Sequence, residues 1–303
     1  MTPEGEGLLL AGESRKTVRT WRADAALAGN TVIWGSTFVL VQSALKDVSP
    51  IVFLSIRFSI ATAALALLFR SRARYRPTRG GLIAGGCLFA GYLFQTVGLQ
   101  LTTASKSAFI TGLAIPLVPL LTSLVYLIRP RIFELAGVLC ATSGMALMTL
   151  QGDSLRIGRG DLLTFFCAVA FAAHIIAVGH YSGRISFESL SFMQVASAAV
   201  FGLSTFWWIE KPVIHLTPVV MFALVMTGLL ATALAFTVQA WAQQHTTPTR
   251  TAVIYSLEPV VAWFTSFWLM GELLSRRAAI GAALILTGIL LVELKRVHST
   301  EHL

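Results

Sequence analysis

The groups in this sequence that could do chemistry are a few polar side chains set inside apolar runs. Val253–Phe264 reads VIYSLEPVVAWF, with Glu258 beside Pro259 and no second charge. A carboxyl group in such a run can accept an ammonium group, or it can take up and release a proton. It can also stay neutral and bond the carbonyl that Pro259 leaves without its usual donor. Arg57, in FLSIRFSIATAAL (Phe53–Leu65), is the one basic residue deep in an apolar run. His174, in AFAAHIIAVGH (Ala170–His180), is the side-chain type that titrates nearest neutral pH, and it is equally a packing residue in an apolar helix. Ser36, in WGSTF, makes with His174 a serine–histidine combination, but no acid or oxyanion motif accompanies it. Hydrolysis would need those two side chains in hydrogen-bond contact, and a separation beyond about 6 Å would exclude it.

The solvent around these groups follows from composition. The chain is 55% hydrophobic and 12% charged, where a soluble domain carries about 25% charged residues. Uncharged runs such as Ala28–Leu45 and Leu162–Tyr181 are long enough as helices to cross a hydrocarbon layer of about 30 Å. The chain is therefore an integral membrane protein, all-α and polytopic. Its net charge of +9 lies in the segments between the apolar runs, which speaks for membrane orientation and against nucleic acid. Cys87, Cys140 and Cys167 share no metal or disulfide spacing and read as small packing residues, so neither metal nor cofactor is expected. The apolar patch Leu8–Ala11 is too short for a signal-peptide core, so the first span is expected to remain as an uncleaved anchor.

Hydropathy predicts ten spans, at 24–45, 51–69, 81–101, 104–127, 132–150, 161–181, 189–208, 218–242, 250–271 and 278–294. With the N-terminus inside, 15 basic residues face the cytoplasm, including Arg15, Lys16, Arg19, Arg22 and the run Arg70–Arg79, against seven outside. Both termini are thus expected in the cytoplasm and the chain in the inner (plasma) membrane. The organisation is a cytoplasmic tail (1–23), a five-helix repeat (24–150), a linker (151–160), a second five-helix repeat (161–295) and a short tail (296–303).

The repeat rests on ordered matches. An offset of 137 lays Asp24 on Asp161, Ser49 on Ser186 and Arg57 on Gln194. An offset of 143 lays Gln100 on Gln243, Thr103 on Thr246 and Pro116 on Pro259, and one residue further Gly137 meets Gly281 and Gly144 meets Gly288. Five is odd, so the second half must enter the membrane inverted relative to the first. Inverted repeats build secondary transporters, because two near-equivalent halves can exchange conformations and alternate access.

WGSTFVLVQSAL (Trp34–Leu45), LEPVVAWFTSFWLMGELLS (Leu257–Ser275) and the two five-helix repeats resemble the EamA-type branch of the drug/metabolite transporter superfamily, over about residues 24–295. The first half departs from that pattern, with IRPR (Ile128–Arg131) where Glu272 would align. The resemblance implies export of small metabolites, with amino acids a common substrate class.

Polar residues at helical spacing mark the expected pathway. They are Asn30, Trp34 and Thr37; Tyr92, Gln95 and Thr102; Ser107, Thr111 and Thr122; Thr164, Cys167, Phe171 and His174; Thr232, Gln239 and Gln243; and Thr251, Tyr255, Glu258 and Thr265. They place a central cavity among spans 1, 3, 4, 6, 8 and 9, leaving spans 5 and 10 as scaffold or as the surface of a homodimer. Each threonine can instead bond its own backbone, and a buried glutamine can simply join helices. The expected substrate-binding set is Trp34, Thr37, Phe38, Tyr92, Gln95, Thr111, Phe171, His174, Gln239, Tyr255 and Glu258, with Glu258 also the coupling candidate. Its aromatic members suit a substrate with an apolar or aromatic part. Pro116 and Pro259 recur in both halves and read as architecture. Arg57 and its counterpart Gln194 also read as structural, with Arg57 snorkelling outward or bonding helix ends. Glu258 has Ile115 as its counterpart, and such asymmetry favours chemistry over scaffold. The function expected is secondary active export; the alternatives are a passive facilitator and an intramembrane enzyme. No GxxxxGK[ST] loop for nucleotide-driven pumping is present.

Overall fold

A computed structural model describes residues 3–71, 77–102, 104–127, 129–149, 158–258, 260–261 and 276–294. Its helices are α1 Pro3–Ala44, α2 Pro50–Leu68, α3 Arg79–Leu99, α4 Ala104–Gly112, α5 Ala114–Tyr126, α6 Ile132–Thr149, α7 Arg159–Ser182, α8 Phe187–Ile209, α9 Pro218–Gly228, α10 Ala235–Ala242, α11 Pro248–Tyr255 and α12 Arg276–Leu294. A π-helical turn, Leu229–Leu234, joins α9 to α10. Among the described residues, seven segments are long and apolar enough to cross a membrane: Thr20–Ala44, Pro50–Leu68, Arg79–Leu99, Phe109–Tyr126, Arg159–Ser182, Phe187–Ile209 and Pro218–Ala242. Ile132–Leu147 and Ala279–Leu291 are shorter apolar helices. Of the predicted ninth span, α11 is described, and residues 262–271 lie outside the described residues.

The helix starts follow local chemistry. Thr217–Pro218 and Thr247–Pro248 each put a hydroxyl at the N-cap and a proline, which needs no hydrogen-bond acceptor, in the first turn; the hydroxyls accept from Val220 N at 3.4 Å and Arg250 N at 3.2 Å. Ser49–Pro50 looks the same in sequence but is wired differently. The Ser49 hydroxyl accepts from Val213 N, and the α2 N-terminus is capped by Glu210, whose Oε1 accepts from Ile51 N and Val52 N at 3.0 and 2.9 Å. A carboxylate at a helix N-terminus is favourable both as an acceptor and against the helix dipole. Together with the bridge between Val48 and Ile214, it ties the turn before α2 to the segment after α8.

Close backbone approach joins the two halves. A Cβ on Gly144 would lie 2.4 Å from the carbonyl oxygen of Gly281, and a Cβ on Gly288 would lie 2.6 Å from that of Gly137. The pairs 144–281 and 137–288 run in opposite senses, so α6 and α12 cross antiparallel. The alignment of Gly137 with Gly281 and of Gly144 with Gly288 turns one contact into the other. Small residues let membrane helices touch backbone to backbone, which is where their association energy arises. Gly144→Ala and Gly288→Ala are each expected to destabilise the protein by about 1–3 kcal/mol, since helix backbones rather than flexible side chains must move. The two losses should be similar, whereas Gly183→Ala, with nothing within 4 Å of its added Cβ, should be near neutral. Thermal unfolding in detergent micelles measures all three.

Candidate functional site

Three backbone irregularities interrupt the described helices around the expected pathway residues. Between α4 and α5 the chain tightens at Leu113, whose N–H bonds Ile110 O at 3.0 Å rather than the residue four back. After α11 it tightens again: Ser256 N bonds Val253 O at 3.1 Å and Leu257 N bonds Ile254 O at 3.0 Å. Leu113 and Ser256 are equivalent under the offset of 143. Each break comes three residues before a proline, Pro116 or Pro259, whose missing N–H frees the carbonyl of Gly112 or Tyr255. The third irregularity is the π-turn, where Ala235 N reaches Leu230 O. Such a turn loosens carbonyls from the regular ladder, and it is common at functional sites.

Side chains converge on those loosened carbonyls. Trp34 Nε1 donates to Ala231 O at 3.0 Å, and Asn30 Nδ2 donates to Ala235 O at 2.8 Å. Arg57 Nη2 donates to the same Ala231 O at 3.3 Å and to the Tyr92 hydroxyl at 3.0 Å, while its Nε donates to Thr232 Oγ1 at 2.7 Å. Its guanidinium carbon sits 4.3 Å from the centroid of the Tyr92 ring. Arg57 is 4% exposed. It neither snorkels nor bonds a helix end, but locks the middle of another span, because the π-turn offers it a carbonyl and a hydroxyl there. It makes no ion pair among the described residues.

A chain of rings runs on from Tyr92. Its ring lies edge-on to Phe171 (centroids 5.2 Å) and to Phe236 (6.1 Å); Phe236 contacts Trp34 (5.7 Å), and Trp34 meets Tyr255 edge-on at 4.9 Å. The T-shaped pairs set the positive edge of one ring against the negative face of the next. Phe236 was not among the expected site residues, although it falls on the face of Thr232, Gln239 and Gln243 and could have been found there.

The polar residues divide into two sets. His174 and Gln239 are buried and already bonded: His174 Nε2 pairs with Gln194 Oε1 at 2.8 Å, Gln239 Nε2 donates to Gln243 Oε1 at 3.0 Å, and Gln243 Nε2 donates to Ile175 O at 2.9 Å. Trp34, Thr37, Gln95, Thr111, Phe171, Tyr255 and Glu258 keep part of their surface open. In that set Gln95 Nε2 reaches Thr111 Oγ1 at 3.4 Å, and Thr111 Oγ1 contacts Cys167 Sγ at 3.7 Å. Thr37 bonds the Trp34 carbonyl of its own helix. The hydroxyl of Tyr255 is buried near Asn30 without a well-formed hydrogen bond. Glu258 has no hydrogen bond or ion pair among the described residues, and lies within electrostatic reach of Tyr92, Cys167 and Tyr255. The side chain of Phe38, and Pro259 itself, lie outside the described residues. Ser36 is exposed and bonded to Ile33 O, and His174 is held by Gln194, so neither is bonded to the other.

The EamA-like transporter family model matches residues 21–150 and again 158–294, one match for each half. An uncharacterized transporter of Archaeoglobus fulgidus is 37% identical over 279 residues, covering 92% of this chain and 88% of its own. The inner membrane transporter YedA of Escherichia coli is 22% identical over 281 residues, covering 89% of this chain and 90% of its own. A crystal structure superposes with a TM-score of 0.77 at 19% identity, across 92% of this chain and 97% of the other, which shows a shared fold. With both halves of the chain matched and a relative this similar along nearly its whole length, the protein is a membrane transporter belonging to the EamA-like transporter family.

Proposed function

We propose that this chain is a secondary active exporter of small organic solutes, amino acids with apolar or aromatic side chains in particular. It works by alternating access between two inverted five-helix halves, ten spans in all, in the inner membrane with both termini cytoplasmic. The observation that carries this reading is the pair of equivalent breaks at Leu113 and Ser256, ahead of Pro116 and Pro259. Discontinuous spans at corresponding places in two halves are how transporters build a mid-membrane site. The exchange-related contacts of Gly144 and Gly288 and the excess of basic residues on one side support the inverted arrangement. Trp34, Gln95, Thr111, Phe171, Tyr255 and Glu258 line the site. The rings take the apolar part of the substrate and the unpaired Glu258 takes an ammonium group or a coupling proton. His174 and Gln239 support it from behind.

Uptake of a labelled amino-acid panel into proteoliposomes, with and without a pH gradient, tests this. At least one apolar or aromatic amino acid should accumulate above its equilibrium level, and only with the gradient. Equilibration without accumulation would identify a passive facilitator, and no flux of any panel member would remove the amino-acid reading.

A further inference from the structure

Arg57 holds more hydrogen-bonding capacity than the fold uses. A guanidinium carries five N–H donors in a fixed fork. Here Nε is taken by Thr232, and Nη2 by the Tyr92 hydroxyl and Ala231 O. Nη1 has no partner among the described residues, on a side chain that is 96% buried (4% exposed). All three acceptors are neutral, so among the described residues the positive charge has no ion-pair partner inside the span. An intramembrane charge of that kind marks a binding or translocation site by default. A purely structural clamp would be met by a neutral donor at far lower desolvation cost.

The second unfilled donor is next to it. The Tyr92 hydroxyl accepts from Arg57, so its own hydrogen is free to donate, and no acceptor for it is found among the described residues. Two donors side by side, one of them cationic, present the geometry that a carboxylate with two oxygens satisfies. The pair lies between Trp34, which shares the Ala231 carbonyl with Arg57, and Phe171, which packs against Tyr92.

We infer that Arg57 and Tyr92 form an anion site that binds the carboxylate of the transported solute, with Nη1 on one oxygen and the Tyr92 hydroxyl on the other. This assignment rests on the transport reading of the same site and narrows its substrate to molecules bearing a carboxylate. An α-amino acid would then present its carboxylate to Arg57 and its ammonium group to Glu258, with the side chain among the rings.

Calorimetric titration of the purified full-length protein in lipid nanodiscs tests it with four probes: phenylacetate, phenethylamine, L-phenylalanine and L-phenylalaninamide. Wild type should bind L-phenylalanine about 10- to 100-fold more tightly than its amide, the range that one charge-assisted contact supplies. Phenylacetate should bind as well. Arg57→Gln should erase the preference for the acid, Arg57→Lys should keep part of it, and Tyr92→Phe should reduce it with little change for the amide. An acid bound no better than its amide by wild type would overturn the site, as would no carboxylate binding at millimolar concentration. So would an Arg57→Gln protein that still discriminates. If Arg57→Gln does not fold, Tyr92→Phe and the wild-type comparison decide. The two readings separate cleanly. Phenylacetate binding that requires Arg57, without accumulation of any amino acid, removes the amino-acid substrate and keeps the anion site. Accumulation of an amino acid in proteoliposomes by a protein that binds L-phenylalanine no better than its amide does the reverse.

Discussion

Replacing Glu258 by glutamine is expected to abolish gradient-driven accumulation of substrate in proteoliposomes. The substitution keeps the shape of the side chain and removes its charge and its exchangeable carboxyl proton. Glu258 sits one residue past the break at Ser256–Leu257, keeps part of its surface open, and has no partner among the described residues. A group so placed is either the acceptor of an ammonium group or the carrier of the proton that drives transport. Exchange of labelled for unlabelled substrate across a membrane without a gradient tells these apart. A proton carrier can be dispensed with in such exchange, so the variant should exchange normally and fail only to accumulate. An ammonium acceptor cannot be dispensed with, and loss of one charge-assisted contact should raise the half-saturating concentration about 10- to 100-fold. Glu258→Asp should fall between wild type and Glu258→Gln in either case. The scaffold alternative, a neutral acid bonded to the carbonyl freed by Pro259, predicts something else again. The amide of glutamine donates to a carbonyl as well as a carboxylic acid does, so accumulation would survive. That outcome would move the search for coupling to other residues of the site.

How much of this could be seen in the sequence depended on whether the signal was local. Pro116 and Pro259, and the glycines at 137, 144, 281 and 288, announce their roles by residue type, and the structure puts breaks and close helix contacts where they stand. The π-turn gave no such signal. LLATAL (Leu229–Leu234) contains neither glycine nor proline, and its form depends on side chains from α1 and α2 that bond its carbonyls. For the same reason the direction taken by Arg57 was illegible, since its acceptors Ala231 and Thr232 lie in another half of the chain. Glu210 as the cap of α2 is illegible for the same reason, since a helix start is read from its own preceding residues and Glu210 lies 159 residues from Ile51. Polar stripes could not separate residues with open surface, such as Gln95 and Thr111, from ones already bonded in the interior. His174 and Gln194 illustrate the limit: each is polar in an apolar span, and His174 Nε2 is paired with Gln194 Oε1.

Asp24→Asn is expected to lower stability by about 3–5 kcal/mol, because it takes the carboxylate charge out of a largely buried forked pair. Asp24, on α1, and Arg250, in the first turn of α11, form a forked pair, Nε to Oδ1 at 3.0 Å and Nη2 to Oδ2, with side chains 11% and 13% exposed. The repeat offers an internal comparison. Asp161, the counterpart of Asp24, accepts from Thr102 Oγ1 at 2.6 Å and from Gly158 N at 2.7 Å. The counterpart of Arg250 is Ser107, whose buried hydroxyl has no partner among the described residues. One half thus ties its first span to Arg250 by a forked ion pair, while in the other the carboxylate accepts from the Thr102 hydroxyl and the Gly158 N–H. Asp161→Asn weakens the bonds from Thr102 and Gly158 and should cost about 1–2 kcal/mol, the ordinary loss of a charge-assisted hydrogen bond. A double variant, Asp24→Leu with Arg250→Met, removes both charges together and should recover most of what Asp24→Asn loses, since well-packed apolar replacements of buried ion pairs are often neutral. Thermal unfolding of the four proteins in detergent gives the comparison. Equal losses for Asp24→Asn and Asp161→Asn would mean that the guanidinium escapes to water when its partner goes. The α1–α11 contact would then be no more than a helix cap, and the two halves would be tied alike.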